Sequence, residues 1–178
     1  MSGVDRRAFL KQSAQTVGAA TILAIKGAAP AAAHSGLTDL TATEAVAAMT
    51  RGDITAEAYA QALLERAAAL PQLNAFRVLD GDLVREAARD ADRKRAAGAK
   101  LGQLHGLPIP VKDSVNTRTL PTSYGTAALR DFRPAADAAV VKALSAQGGI
   151  LMGKTNLHEL SFGWTSNNGT FGPVRNPY

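Results

Sequence analysis

Cysteine is absent from this 178-residue chain, which excludes disulfides, thiolate metal sites and a cysteine nucleophile together. Aromatic residues make up only 5%, too few for the base-stacking platforms of single-strand nucleic-acid binders. Histidine occurs only at His34, His105 and His158, and His158-Glu159 has no second histidine four residues later. That spacing matches no zinc-hydrolase motif; neither a metal nor an organic cofactor is expected. The mild apolar run from Val17 to Ile25 is too short to span a bilayer. Positive charge is scarce where it would matter. Of the formal +5, residues 1–33 hold +3 through Arg6, Arg7, Lys11 and Lys26 against Asp5. The remainder carries too little for a basic patch, which excludes a nucleic-acid partner.

What is present begins with a leader. Asp5-Arg6-Arg7-Ala8-Phe9-Leu10-Lys11 resembles a twin-arginine export signal, and the run to Ile25 is followed by Ala28-Ala29-Pro30-Ala31-Ala32-Ala33. Ala31-x-Ala33 fits a small-residue cleavage site before His34. The expectation is a signal peptide over 1–33, a mature chain over 34–178 and a periplasmic, bacterial location. The competing reading is an ordinary basic N-terminus on a cytosolic protein.

Behind the leader the chain is patterned for helices. Thr41 with Glu44 is a capping box ahead of Ala45, Val46, Ala48 and Met49. Thr55 caps a second helix that ends near Leu70-Pro71. Phe76–Leu79 reads as a strand, and Asp82 opens a charged helix from Leu83 to Ala97 stopped by Gly98. Its mixed charges are those of a solvated face. Ile109–Lys112 and Ile150–Met152 read as strands, joined through a helix that Asp137 caps and that runs to Gln147. Strand, helix and strand in that order imply a right-handed crossover and parallel pairing. The fold class is therefore α/β, with N-terminal helices followed by part of a mixed, mainly parallel sheet flanked by helices. Gly163–Tyr178, rich in Gly, Asn, Thr, Ser and Pro, reads as irregular backbone lining something.

Lys112 ends the apolar run Gly106-Leu107-Pro108-Ile109-Pro110-Val111. The residues alone leave two readings open. Either the strand buries a lysine whose desolvated amine serves as a proton acceptor, or a strand-end lysine snorkels to water. Gly148-Gly149-Ile150-Leu151-Met152-Gly153-Lys154-Thr155 formally satisfies a phosphate-binding loop. However, Ile-Leu-Met reads as the strand itself and a helix precedes it, so the match is set aside.

Five stretches between Leu104 and Tyr178 stand out together: His105-Gly106-Leu107-Pro108-Ile109-Pro110-Val111-Lys112-Asp113, Leu120–Ser123, Asp137–Val141, Gly153-Lys154-Thr155-Asn156 with Glu159, and Phe171–Pro177. In order and correctly spaced, they resemble the first half of the amidase signature family of serine hydrolases. The resemblance implies an incomplete amidase signature fold. It also implies amide hydrolysis by a Ser-Ser-Lys triad in which Lys112 is the neutral base. A serine attacks the carbonyl, a second serine held by a cis peptide relays the proton to Lys112, and backbone amides stabilise the oxyanion. The run Leu157–Asn168 looks most like the arylacetamide branch, the indoleacetamide and mandelamide hydrolases. The implied partner is thus a small-molecule amide, with Phe162, Trp164, Thr165 and Asn167 as candidate substrate contacts. Phe162 and Trp164 read equally well as core. Amidotransferase A-type subunits share the signature; the export leader points away from them.

The departure from the family is the nucleophile. Both triad serines of the family lie downstream of Arg175-Asn176-Pro177, and Ser114, Ser123, Ser145, Ser161 and Ser166 do not occupy those positions. The expectation is a truncated amidase signature domain that carries the base alone and is inactive as it stands, with a non-catalytic remnant as the alternative. Open strand edges and an uncovered apolar face are expected with it.

Overall fold

The computed structural model describes residues 34–178; the leader expected over 1–33 lies outside the described residues. Four α-helices and three strands follow a short 3-10 turn at His34–Asp39: α1 (Ala42–Arg51), α2 (Ala56–Ala69), β1 (Phe76–Leu79), α3 (Gly81–Ala96), β2 (Pro108–Lys112), α4 (Ala139–Ala146) and β3 (Ile150–Thr155). The α/β class read from the sequence is what is observed.

The helix starts follow local chemistry, then tertiary contacts reinforce them. Thr41 and Glu44 form the expected reciprocal box: the Thr41 amide donates to Glu44 Oε2 at 2.8 Å and the Glu44 amide to Thr41 Oγ1 at 3.3 Å. Thr55 Oγ1 accepts from the Ala58 amide at 3.0 Å. Asp92, reaching across from α3, adds acceptors for the Ala56 and Glu57 amides at 2.8 and 3.0 Å. A carboxylate there also complements the positive end of the α2 dipole. At the other end of α1, Gly52 takes φ +81 and closes the last turn onto Ala48 and Met49.

Two expected boundaries move. The helix placed after Asp82 begins at Gly81, because Asp80 accepts from the Asp82 and Leu83 amides. Asp137 does not cap α4. Its Oδ1 accepts instead from the Arg118 amide at 2.7 Å, and Ala138 occupies the cap position without a side-chain bond. A long-range donor outcompetes the local one.

The core is continuous from the helices to one face of the sheet. Ala45 and Met49 of α1, Tyr59, Ala60 and Leu64 of α2, and Val84 and Ala88 of α3 pack with Leu107, Ile150 and Met152. Strand order is β1-β3-β2, with β1 antiparallel and β2 parallel to β3, so the crossover through α4 pairs its strands in parallel, as the order of elements implies. β2 tolerates Pro108 and Pro110 because it is an edge strand in this sheet. On either side of Met152 an apolar groove of about 440 Å³ stays open. One is lined by residues such as Leu83, Ala87 and Leu120, the other by residues such as Leu63, Leu70 and Phe76. Neither includes Lys112.

Two β-bulges decide which side chains meet. Phe76 pairs with Thr155 and Val78 with Lys154, so Arg77 is the extra residue of β1. Ile109 pairs with Leu151 and Pro110 with Gly153, so Met152 is the extra residue of β3. Each bulge re-aims the strand beyond it. Gly153 is required here: a Cβ would sit 2.6 Å from the Val78 carbonyl oxygen, a clash with backbone that cannot yield.

Candidate functional site

Beyond the Met152 bulge, Val111 pairs with Lys154, and Lys112 with Thr155. Paired residues share a face and consecutive residues alternate. Lys154 and Asp113, two residues on from Val111, therefore lie on one face, and Lys112 on the other. Exposure agrees: Asp113 and Lys154 are fully buried, whereas Lys112 is exposed.

This corrects one expectation. Of the two readings of Lys112, the solvent-reaching strand end is the one observed within residues 34–178; the lysine that the strands bury is Lys154. The Lys154 ammonium donates to Thr122 Oγ1 at 2.6 Å and to the Val115 carbonyl at 2.8 Å, and lies 3.3 Å from Asp113 Oδ1. Burial pushes its pKa down, the attraction of Asp113 opposes that, and the Arg77 charge adds to the lowering. Residue 154 also disposes of the phosphate-loop match, since Ile150–Thr155 is paired on both sides as the middle strand and its amides are not free to curl round an anion.

Asp113 is the hub. Ser123 donates to Asp113 Oδ2 through both its hydroxyl and its amide, the latter at 3.1 Å. Arg77 Nε stands 2.7 Å from the same oxygen, out of line for a hydrogen bond and so chiefly an ionic contact. Arg77 also donates to the Arg130 carbonyl at 3.1 Å. Its guanidinium and that of Arg130 stack on the Phe171 ring, 5.1 and 5.0 Å from the centroid. The backbone joins in, the Asp113 amide donating to Thr155 O and its carbonyl accepting from the Tyr124 amide, at 3.0 and 3.1 Å. One carboxylate thus ties β1, β2, β3 and the 120s loop together.

A second set of amide side chains fixes the irregular C-terminal stretch. Asn168, 2% exposed, donates to the carbonyls of Gly125 and Leu157 and accepts from the amides of Thr170 and Phe171, all between 2.8 and 2.9 Å. Asn74 donates to the Phe171 carbonyl at 2.8 Å and Asn156 to that of Gly172 at 3.1 Å. Of the four candidate substrate contacts, Trp164 and Phe162 are almost wholly exposed and Thr165 and Asn167 are exposed. The reading of the two aromatics as core is thereby overturned. The loop carrying them is shaped by left-handed backbone at Leu160, Ser161 and Ser166. Sequence reasoning missed Asp113, Lys154, Arg77 and Asn168 as an organised set. A lysine between glycine and threonine in a strand was the available signal, but its face depended on a bulge.

His105, 3% exposed and with Nε2 unpartnered, is buried at the start of the segment leading to Lys112. Desolvation pushes its pKa below the ordinary 6.5; the Asp92 charge opposes this, and those of Arg95 and Lys94 add to it. Above pH 6.5 both folded and unfolded imidazoles are neutral and stability is unaffected. As pH falls through 6.5 the unfolded chain takes up a proton that the folded chain refuses, so stability declines. Urea unfolding midpoints measured at intervals from pH 7.5 to 5.5 are expected to fall in the parent and to stay flatter in His105→Asn; equal slopes overturn the assignment.

The geometry has close counterparts among known proteins. The chain is 39% identical over 143 residues to the A-type subunit of the glutamyl-tRNA(Gln) amidotransferase of Salinispora tropica, covering 80% of this chain and 29% of that protein. It superposes on the peptide amidase of Stenotrophomonas maltophilia with a TM-score of 0.72 at 36% identity, over 79% of this chain and 30% of the other. On a bacterial aryl acylamidase of the amidase signature family the TM-score is 0.73 at 28% identity, over 78% and 29%. The chain spans less than a third of the length of each. The family model described as Amidase matches residues 58–178, which takes in β1–β3, Lys112 and the whole Asp113 cluster, and the chain belongs to the amidase family.

Proposed function

We propose that this segment supplies the proton-accepting lysine, Lys112, of an amide hydrolase that converts a carboxylic amide and water into a carboxylate and ammonia. The observation that carries the reading is the pairing of consecutive residues with opposite fates: Asp113 locked in the interior, Lys112 presented outward from the same strand end. A lysine can take a proton from a hydroxyl and return it to a leaving amine once it is neutral; arginine cannot, because it never gives up its own. Desolvation of Lys112 and the attacking serine would both come from chain that closes over β2. None of Ser114, Ser123, Ser145, Ser161 or Ser166 is a candidate nucleophile by resemblance, and Ser123 is buried against Asp113. The exposed Phe162 and Trp164 suit an aromatic acyl group, with Thr165 and Asn167 beside them.

The test begins with the coding DNA beyond the Tyr178 codon. An in-frame continuation encoding a glycine- and serine-rich segment is expected, and in that product Lys112→Arg should lower kcat by at least about 10²-fold. Trp164→Ala should raise KM for arylacetamides more than for aliphatic amides. The 178-residue chain alone is expected to release no ammonia. Release abolished by a serine-directed reagent, or an active Lys112→Arg product, would sink the proposal; a stop codon would favour a non-catalytic remnant.

Two features divide a second reading from this one. Identity to amidotransferase A-type subunits favours a cytosolic protein working within a complex. The Arg6-Arg7 leader favours export to the periplasm. Cell fractionation of the parent and of an Arg6→Lys, Arg7→Lys variant decides: periplasmic protein that is retained inside on substitution supports the hydrolase reading.

A further inference from the structure

We infer that Lys154 is a positioning residue for Lys112, acting through Asp113, and not a second base; this rests on the reading of Lys112 given above. Three observations converge. First, Lys154 has no route to substrate: it is fully buried, and its ammonium is spent on Thr122 Oγ1, the Val115 carbonyl and the Asp113 carboxylate. Second, every one of those partners lies on the chain immediately after Lys112 or on the loop that packs beneath it. Val115 itself donates its amide to the Lys112 carbonyl at 2.9 Å, so Lys154 grips the same short turn from its acceptor side. Third, Asp113 and Lys112 leave the backbone in opposite directions, so rotating one rotates the other. With Asp113 held by Lys154, Arg77 and Ser123, the peptide between residues 112 and 113 cannot turn, and the Cα–Cβ bond of Lys112 is fixed without any contact to its own side chain. Holding a reacting group by partners on the far side of the backbone is how a site keeps its geometry within the tolerance that catalysis needs.

The arrangement also explains the bulge at Met152. Were Met152 paired with Pro110 and not bulged out, Val111 would meet Gly153 in place of Lys154, and the lysine would leave the face on which Asp113 lies.

The experiment uses the 178-residue chain and needs no turnover, so it fails or succeeds independently of whether amides are hydrolysed. Residual dipolar couplings of Lys112 report the direction of its backbone bonds. Amide exchange at Asp113, which donates to Thr155 O, and at Val115 reports the turn itself. In Lys154→Met the Lys112 couplings should change and these two amides should exchange at least about tenfold faster, with α2 and α3 amides at parent rates, the signature of local opening. Ser123→Ala, a milder cut in the same clamp, should move the same reporters in the same direction by less. Parent couplings in folded Lys154→Met, or acceleration spread evenly over all amides, would overturn the inference. If Lys154→Met does not fold, parent-like couplings and exchange in Ser123→Ala overturn it instead.

Discussion

Asp113→Ala is expected to lower the unfolding free energy by about 3–5 kcal/mol, the range for removing one partner of a buried charge pair. The size follows from what is left behind. Lys154 keeps two neutral acceptors but no counter-charge, and Arg77, whose side chain is only 7% exposed, loses its carboxylate contact. Ser123 loses the acceptor for both its hydroxyl and its amide. Domains of ordinary size are stable by about 5–15 kcal/mol, so the variant should give up a large share of the whole. Asp113→Asn, which keeps an acceptor for Ser123 but no charge, should stay near the alanine value if charge dominates. Lys154→Met should cost clearly less than either, because Asp113 retains Arg77: taking away the anion strands two cations, and taking away one cation leaves the other paired. Urea unfolding of the three variants checks the order, and a loss under about 1 kcal/mol in Asp113→Ala would contradict the role of hub.

The second large effect is expected at Asn168. Alanine there removes four hydrogen bonds at once, leaving the carbonyls of Gly125 and Leu157 without donors and the amides of Thr170 and Phe171 without an acceptor. At about 1–3 kcal/mol for a buried group left unpaired, offset where water can enter, the loss should be about 2–4 kcal/mol. Asn168→Asp should be no better despite its identical shape. It still accepts from residues 170 and 171 but turns a carboxylate oxygen towards two carbonyls. Unfolding midpoints give the cost, and limited proteolysis locates it: cleavage should rise first within residues 168–175, a stretch otherwise tied, among the described residues, by Asn74, Asn156, the stacking of Arg77 and Arg130 on Phe171 and a few backbone bonds. Unchanged cleavage there would mean the stretch is held by something else.

What the sequence made legible was local. Thr41 with Glu44, Thr55, the strand at Phe76–Leu79 and the parallel pairing of β2 with β3 all follow from interactions within a few residues or from element order. What it hid was long-range competition. Asp137 stands where a helix cap should, yet Arg118 takes its carboxylate from nineteen positions away. Lys112 and Lys154 each close an apolar strand, and alternation alone cannot say which is buried, because an extra residue at Met152 changes the face of everything after it. Arg77 reads as one polar residue in a four-residue strand; only the displacement of β1 against β3 brings it to Asp113. The exposure of Phe162 and Trp164 was equally out of reach, since the backbone that presents them adopts left-handed angles at leucine and serine, which no residue preference would suggest.

The unpaired residue in β3 has a bearing on how such chains can diverge. Losing a single codon at Met152 would leave Gly153 opposite Pro110 and Lys154 opposite Val111, because the residue lost is the one without a partner; what would go is the local bend and one buried apolar side chain. Loss of that unpaired position should therefore survive among functional descendants more often than loss of Gly153, whose place beside the Val78 carbonyl no side chain can take.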